Sequence, residues 1–170
     1  MAPSSGYDAA AHGDAGLPRE QRLWVPDTSV LIGYLRFDRH RAFLTAALRR
    51  KSLLLPGVVL CELYAGAASR EDRADVEALR RALGPHVLGA EVEDWLVAGR
   101  CVSTYSLRWG KVRPRDHLAD VLVAVAAARM GATLVSEDLP RMTRWSWALR
   151  RLRKPLRVER PHGLVPAQQV

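Results

Sequence analysis

"LADVLVAVAAARMGATLVSEDLPR" (118–141) changes character twice within a few turns of chain. From Asp116 to Gly131 the residues are apolar on nearly every side of a helical wheel, which describes a buried helix. "ATLVS" (132–136) then reads as a buried strand, and "LPRMTRWSWALRRLR" (139–153) as another helix. A helix with no solvent face that runs into a strand and out again into a helix belongs to a parallel α/β architecture. The fold class follows if the rest of the chain repeats that alternation.

It does. Upstream, "RLWVP" (22–26) is a short buried strand, with Pro26 holding Val25 extended. "TSVLIGYLR" (28–36) suits a helix entered from Asp27, and "HRAFLTAALRR" (40–50) a second, with Phe43, Leu44, Ala47 and Leu48 on one face. "SLLLP" (52–56) is the next strand, followed by helices over "GVVLCELYAGA" (57–67) and "REDRADVEALRRALG" (70–84), the latter closed by Gly84. "HVLG" (86–89) is a short strand, "EVEDWLVAGRCVSTYSLRWG" (91–110) a long amphipathic helix, and "LRVER" (156–160) the last strand. The expectation is a three-layer α/β/α sandwich around a mainly parallel sheet of about four to five strands.

The 170 residues make one domain, large enough for a core without covalent staples. Residues 1–20, rich in Ala, Gly, Ser and Pro, read as a disordered leader, 21–160 as the folded domain and 161–170 as a flexible C-terminal tail. Cys61 and Cys101 lack metal-ligand spacing and read as buried free thiols of a reducing compartment. Neither a signal peptide nor a membrane span is expected, which points to the cytoplasm. The net charge is +8, carried by 23 Arg and only 3 Lys. Arginine favours phosphate contacts and base stacking, so a polyanion comes to mind, although an arginine-rich genome would write basic surfaces the same way.

In open α/β sheets, sites form where the strands end. Asp27 ends the first strand and precedes two hydroxyls, Thr28 and Ser29; it serves either as a helix N-cap or as part of a site. Glu62 falls on the stripe Val58, Val59, Glu62, Ala65, Gly66, which should face the sheet. Asp120 is the only charge between His117 and Arg129 in the buried helix, and Asp138 follows the strand "ATLVS" directly. Uncompensated buried carboxylates cost several kcal/mol each and must be paired, protonated or metal-bound. Four converging at one sheet edge repel one another; a divalent cation removes that conflict, and oxygen-only ligands suit Mg²⁺ or Mn²⁺. Asp116, four residues before Asp120 and so on the same helical face, is either a fifth acid at the rim or the charge favoured at a helix N-terminus. Thr28, Ser29 and Ser136 support the carboxylates or cap turns.

The stretch from Arg141 to Arg160 holds eight basic residues against Glu159 alone, with Trp145 and Trp147 between them. It is either a solvated helix face with the rings in the core or a phosphate-binding flank. On the second reading Arg141 and Arg144, nearest Asp138, hold phosphates beside the acidic cleft.

These blocks resemble the PIN-domain nucleases, and within them the VapC-type ribonuclease toxins of type II toxin–antitoxin pairs. The resemblance runs from about residue 22 to about 160. "DTSVLIGYL" is similar to the family's opening segment, placing its Asp at Asp27 with Ser29 beside it; "LLLPGVVLCELYAG" places its Glu at Glu62. "LADVLVAVAAARMGATLVSED" places acids at Asp120 and Asp138 and a supporting hydroxyl at Ser136. Pro26 stands where the family usually carries an aliphatic residue, and "RMTRWSWALRRLRK" is longer and more basic than usual. The resemblance implies Mg²⁺-dependent hydrolysis of RNA phosphodiester bonds, with Asp27, Glu62, Asp120 and Asp138 as catalytic metal ligands, an antitoxin partner and a homodimer. Within enzymes the rival is RNA processing or DNA cleavage. Outside them stand a pure RNA-binding module and a phospho-receiver, for which Ser136 and Lys154-Pro155 are a partial match but no accepting Asp follows "HVLG".

Overall fold

The computed structural model describes Pro18 and residues 21–161; the expected leader and tail fall, apart from Pro18 and Pro161, outside the described residues. Among the described residues there are five short strands: β1 (Trp24–Pro26), β2 (Leu55–Pro56), β3 (Val87–Leu88), β4 (Thr133–Val135) and β5 (Arg157–Glu159). Between them run the helices α1 (Thr28–Phe37), α2 (Arg41–Arg49), α3 (Gly57–Gly66), α4 (Arg70–Leu83), α5 (Val92–Trp109), α6 (Leu118–Arg129) and α7 (Leu139–Arg151). The alternation expected from the sequence is borne out.

All the strand pairs are parallel: β1 with β4, β4 with β5, and β2 with β3. A parallel bridge between Trp24 and Leu53 joins the two groups, so the strands stand in the order β3-β2-β1-β4-β5. The join is narrow for a reason written in the sequence. Trp24 N–H donates to Ser52 O and Trp24 O accepts from Leu54 N–H, each at 2.8 Å. The next nitrogen on that side of β1 belongs to Pro26, which has no hydrogen to donate, and the ladder stops there. On the other side Asp27 N–H continues the pairing to Val135 O at 2.9 Å.

Successive strands step one way from β1 to β3 and the other way from β4 to β5. With right-handed crossovers this puts α1–α4 on one face and α5–α7 on the other. The order reverses between β1 and β4, which is where a parallel sheet opens a crevice at the strand C-termini.

Burial agrees with the reading of the opening segment. Val121 to Ala127 of α6 are all buried within a single chain, so this helix needs no second copy to cover it. Trp145 of α7 is fully buried and packs on Tyr105 at 4.3 Å between ring centroids, while Trp24 meets Phe43 of α2 edge-on at 5.4 Å. Of the two free cysteines Cys101 is buried as expected, but Cys61 is exposed because its position on α3 points away from Val59, Leu60 and Leu63. Among the described residues, no helix is long and apolar enough to cross a membrane.

Candidate active site

The crevice between β1 and β4 is lined by Asp27, Thr28, Ser29, Glu62, Asp120, Val123, Asp138, Arg141 and Met142 and encloses about 190 Å³. Asp27 lies at its floor. As the N-cap of α1 it has extended backbone and accepts from Val30 N–H at 3.1 Å. It is also 6% exposed and takes a hydrogen bond from Ser29 Oγ at 2.6 Å and another from the buried Ser136 hydroxyl. The cap and the site are therefore one residue. Burial pushes the Asp27 carboxyl above its ordinary value, against the opposing pull of the hydroxyls of Ser136 and Ser29 and of the Val30 N–H.

Ser136 ties the two sides of the crevice together. Its Oγ donates to Asp27 and accepts from Asp138 N–H at 3.0 Å, so the loop after β4 is built on the carboxylate that ends β1. Ser29 repeats the device, accepting from Glu137 N–H at 3.4 Å. Glu137 in turn meets the ring of His40 at 2.6 Å, which pins the loop to the start of α2.

Asp120 stands in the first turn of α6, half-buried. Burial raises its pKa, Arg141 lowers it, and the nearby charges of Glu62 and Asp27 raise it again. Asp27, Glu62 and Asp120 line the same crevice, which is why their charges act on one another. Asp138 caps α7 through Arg141 N–H at 3.2 Å. The Arg141 side chain then folds back between two acids, with Nε 3.0 Å from Asp138 and Nη1 3.2 Å from Asp120.

Two expectations need correction. Glu62 does not face the sheet: the buried stripe of α3 is Val59, Leu60 and Leu63, one position out of step, and Glu62 is exposed at the cleft rim, where Thr28 donates to it. Asp116 does not share a helical face with Asp120, because Pro114–Asp116 form a separate 3₁₀ turn and α6 begins at Leu118. It is exposed, beside Arg115 at 3.5 Å, and is not among the residues lining the crevice. Arg144 lies outside the crevice as well, donating to Tyr105 Oη at 3.5 Å.

The sequence places Arg141 beside the acids, as expected of a phosphate ligand, but does not disclose its ion pairs with Asp120 and Asp138. The available signal was its place three residues after the capping Asp138, the spacing that lets a side chain return to its own helix cap.

Among the described residues, no three His, Cys, Asp or Glu side chains stand close enough together to chelate a metal as they are. Each acid has a partner instead: two hydroxyls hold Asp27, one holds Glu62, and Arg141 spreads between Asp120 and Asp138. The donor set is nonetheless entirely of hard oxygens, and its mutual repulsion is relieved by a side-chain cation. Both features fit a small divalent cation of the Mg²⁺ or Mn²⁺ type.

A family model described as the PIN domain matches residues 24–139. No curated protein sequence matches the chain. Among solved structures, a chain of DNA-bound VapBC from Salmonella typhimurium is similar at 20% identity and a TM-score of 0.60, covering 82% of this chain and 98% of that one. VapBC2 from Rickettsia felis, bound to a promoter DNA fragment, matches at 17% identity and 0.61 over 81% and 98%. VapBC-1 from nontypeable Haemophilus influenzae matches at 17% and 0.61 over 82% and 98%. At these identities the likeness is one of fold.

Proposed function

The chain belongs to the PIN-domain family, and on that premise we propose that it is a Mg²⁺-dependent endoribonuclease, the toxin of a type II toxin–antitoxin pair. The observation that carries this reading is the crevice itself: four carboxylates, from the N-caps of α1 and α7 and from α3 and α6, line one opening, with a cation, Arg141, among them. Asp27, Asp120, Asp138 and Glu62 would hold the metal, directly or through water, and Mn²⁺ would serve in place of Mg²⁺. When bound there, a divalent cation would supply charge to neutralise the phosphodiester oxygens and to make a water a better nucleophile.

The chain's own residues do the rest. Ser29 and Ser136 fix the Asp27 carboxylate so that its orientation does not have to be established anew at each turnover. One carboxylate of the ring takes the proton of the attacking water. Arg141, once displaced from Asp120 and Asp138, is placed to hold a phosphate flanking the scissile bond, with Arg144 one turn further along α7. Asp116 supplies only the acidic charge favoured before α6.

The kinship in fold with chains of VapBC assemblies supports an antitoxin as partner, and such a pair would work in the cytoplasm. A homodimer is supported by the apolar face that α5 leaves exposed at Val92, Trp95 and Leu96. The test is incubation of the purified protein with total RNA and with DNA, with Mg²⁺ or with EDTA. Mapped internal cuts in RNA that require Mg²⁺ are expected; cuts confined to DNA would overturn the RNA assignment.

A further inference from the structure

Where α5 packs on α7, the indoles of Trp109 and Trp147 meet nearly at right angles, 4.8 Å between centroids. Both rings are half-buried, and exposed arginines cover them. Arg108 lies 4.8 Å from the Trp147 centroid and 5.4 Å from that of Trp109; Arg151 lies 5.3 Å from Trp147 and Arg144 6.0 Å from Trp109. Other arginines of the chain are matched with acids, among them Arg80 with Glu77 and Arg129 with Glu91. Among the described residues, none of Arg108, Arg144 and Arg151 is paired with a carboxylate.

The position of this cluster relative to the crevice gives it direction. Arg141, Arg144, Trp147 and Arg151 follow one another along α7 at helical spacing, a slanting stripe that starts at the acids. At 1.5 Å per residue it extends about 15 Å, room for about four nucleotides at a stacked spacing near 3.4 Å. An arginine already resting on an indole has given up much of its rotamer freedom. It offers a planar face for a base and N–H groups for a phosphate.

We propose that the Arg108–Trp109–Trp147–Arg151 cluster is a binding track for single-stranded RNA, on which bases stack as the strand leaves the crevice along α7. The track rests on the nuclease reading only for the identity of the polymer. A single strand is favoured over a duplex because paired bases have no free faces to stack. Nucleic acid is favoured over an acidic protein tail because carboxylates would use the charge and leave the ring and guanidinium planes without a role.

The test is anisotropy of a short fluorescein-labelled oligouridylate with the full chain in EDTA, where cleavage does not interfere. Trp147→Ala should weaken binding about fivefold to a hundredfold with little change in salt dependence, and Trp147→Phe should restore most of it. Arg108→Gln with Arg151→Gln should weaken binding and flatten the log–log salt slope by about 0.7 for each phosphate that the variant no longer holds. If Trp147→Ala fails to fold, the exposed arginine pair decides alone. Wild-type affinity in the arginine variant overturns the track, as does equal or tighter binding of a polyglutamate peptide or of duplex RNA through the same residues. Binding that depends on the cluster in a protein with no Mg²⁺-dependent cleavage would keep the track and remove the nuclease reading instead.

Discussion

Arg141 Nη1 lies 3.2 Å from Asp120 Oδ2, so a cation from the chain already occupies the space between the acids of α6 and α7. A divalent ion held by these acids, as proposed, would have to displace it. Arg141→Gln should therefore bind Mn²⁺ several-fold more tightly at mildly alkaline pH, where every Asp is ionised, while its metal-free form melts lower because the acids repel unrelieved. RNA affinity should fall at the same time. Calorimetric Mn²⁺ titration with paired melting curves checks this; unchanged or weaker cation binding would show that Arg141 does not compete for the site.

Ser136→Ala removes one hydroxyl that serves two partners, Asp27 and Asp138 N–H. The Asp27 oxygen it held is buried and left without that donor, a loss of about 1–3 kcal/mol. The Asp27 pKa should rise further, because this hydrogen bond is the largest of the effects holding it down. Cation affinity should drop about ten- to a hundredfold, as when outer-shell support of a ligand is lost. Urea unfolding and Mn²⁺ titration of the variant measure the two effects separately, and wild-type cation affinity would count against Ser136 as a support of the site.

The strands and helices were legible because each segment's apolar pattern suits its burial, most plainly in α6, whose lack of a polar face matches its enclosure. Three of the four acids were legible for a related reason: Asp27, Asp120 and Asp138 sit where a strand ends or an apolar helix begins. Glu62 was found for the wrong reason, since α3 is apolar enough that a frame shift of one position still looks like a buried stripe. Asp116 misled because the 3₁₀ turn at Pro114 interrupts what looks like continuous helix. The Arg108–Trp147 contact was beyond reach, since it joins α5 to α7 and no local pattern encodes their packing.

Acidity should act on the metal-free and metal-bound proteins in opposite senses. Burial raises Asp27 and Asp120 above the ordinary 3.8, so the fold prefers them protonated. Their contribution is present below 3.8 and lost as pH rises through the raised values, so the metal-free protein should gain stability on mild acidification from neutrality. Glu77 works the other way: hydrogen bonds from Arg80 and Tyr64 hold it at about 2, and its contribution is present above 4.5 and lost as pH falls towards that value. Stabilisation by Mg²⁺ should disappear while the pH is still above 3.8, as the raised carboxyls take up protons. Denaturation across pH with and without Mg²⁺ tests the signs; an identical pH profile in Asp120→Asn would refute the assignment to these groups.

Assembly is tested on α5 rather than on α6, which is buried within one chain. Trp95 is 49% exposed and borders an apolar hollow of about 320 Å³ that Leu88 and Leu122 also line. Light scattering should give a dimer mass for the wild type and a monomer mass for Trp95→Glu at micromolar concentration. A wild-type mass that stays monomeric at every concentration removes the dimer.

On the proposed function, the acids of the crevice would bind a divalent cation on which RNA cleavage depends. The most direct measurement follows Mn²⁺ binding and cleavage of an end-labelled RNA in the same preparations of wild type, Asp27→Asn and Asp120→Asn. Asn keeps the N-cap of α1, so the first variant should stay folded. Both variants should lose cation affinity and cut at least about a hundredfold more slowly, while the wild type stops cutting in EDTA. Full cleavage by the wild type in EDTA, or by both folded variants, would contradict the account.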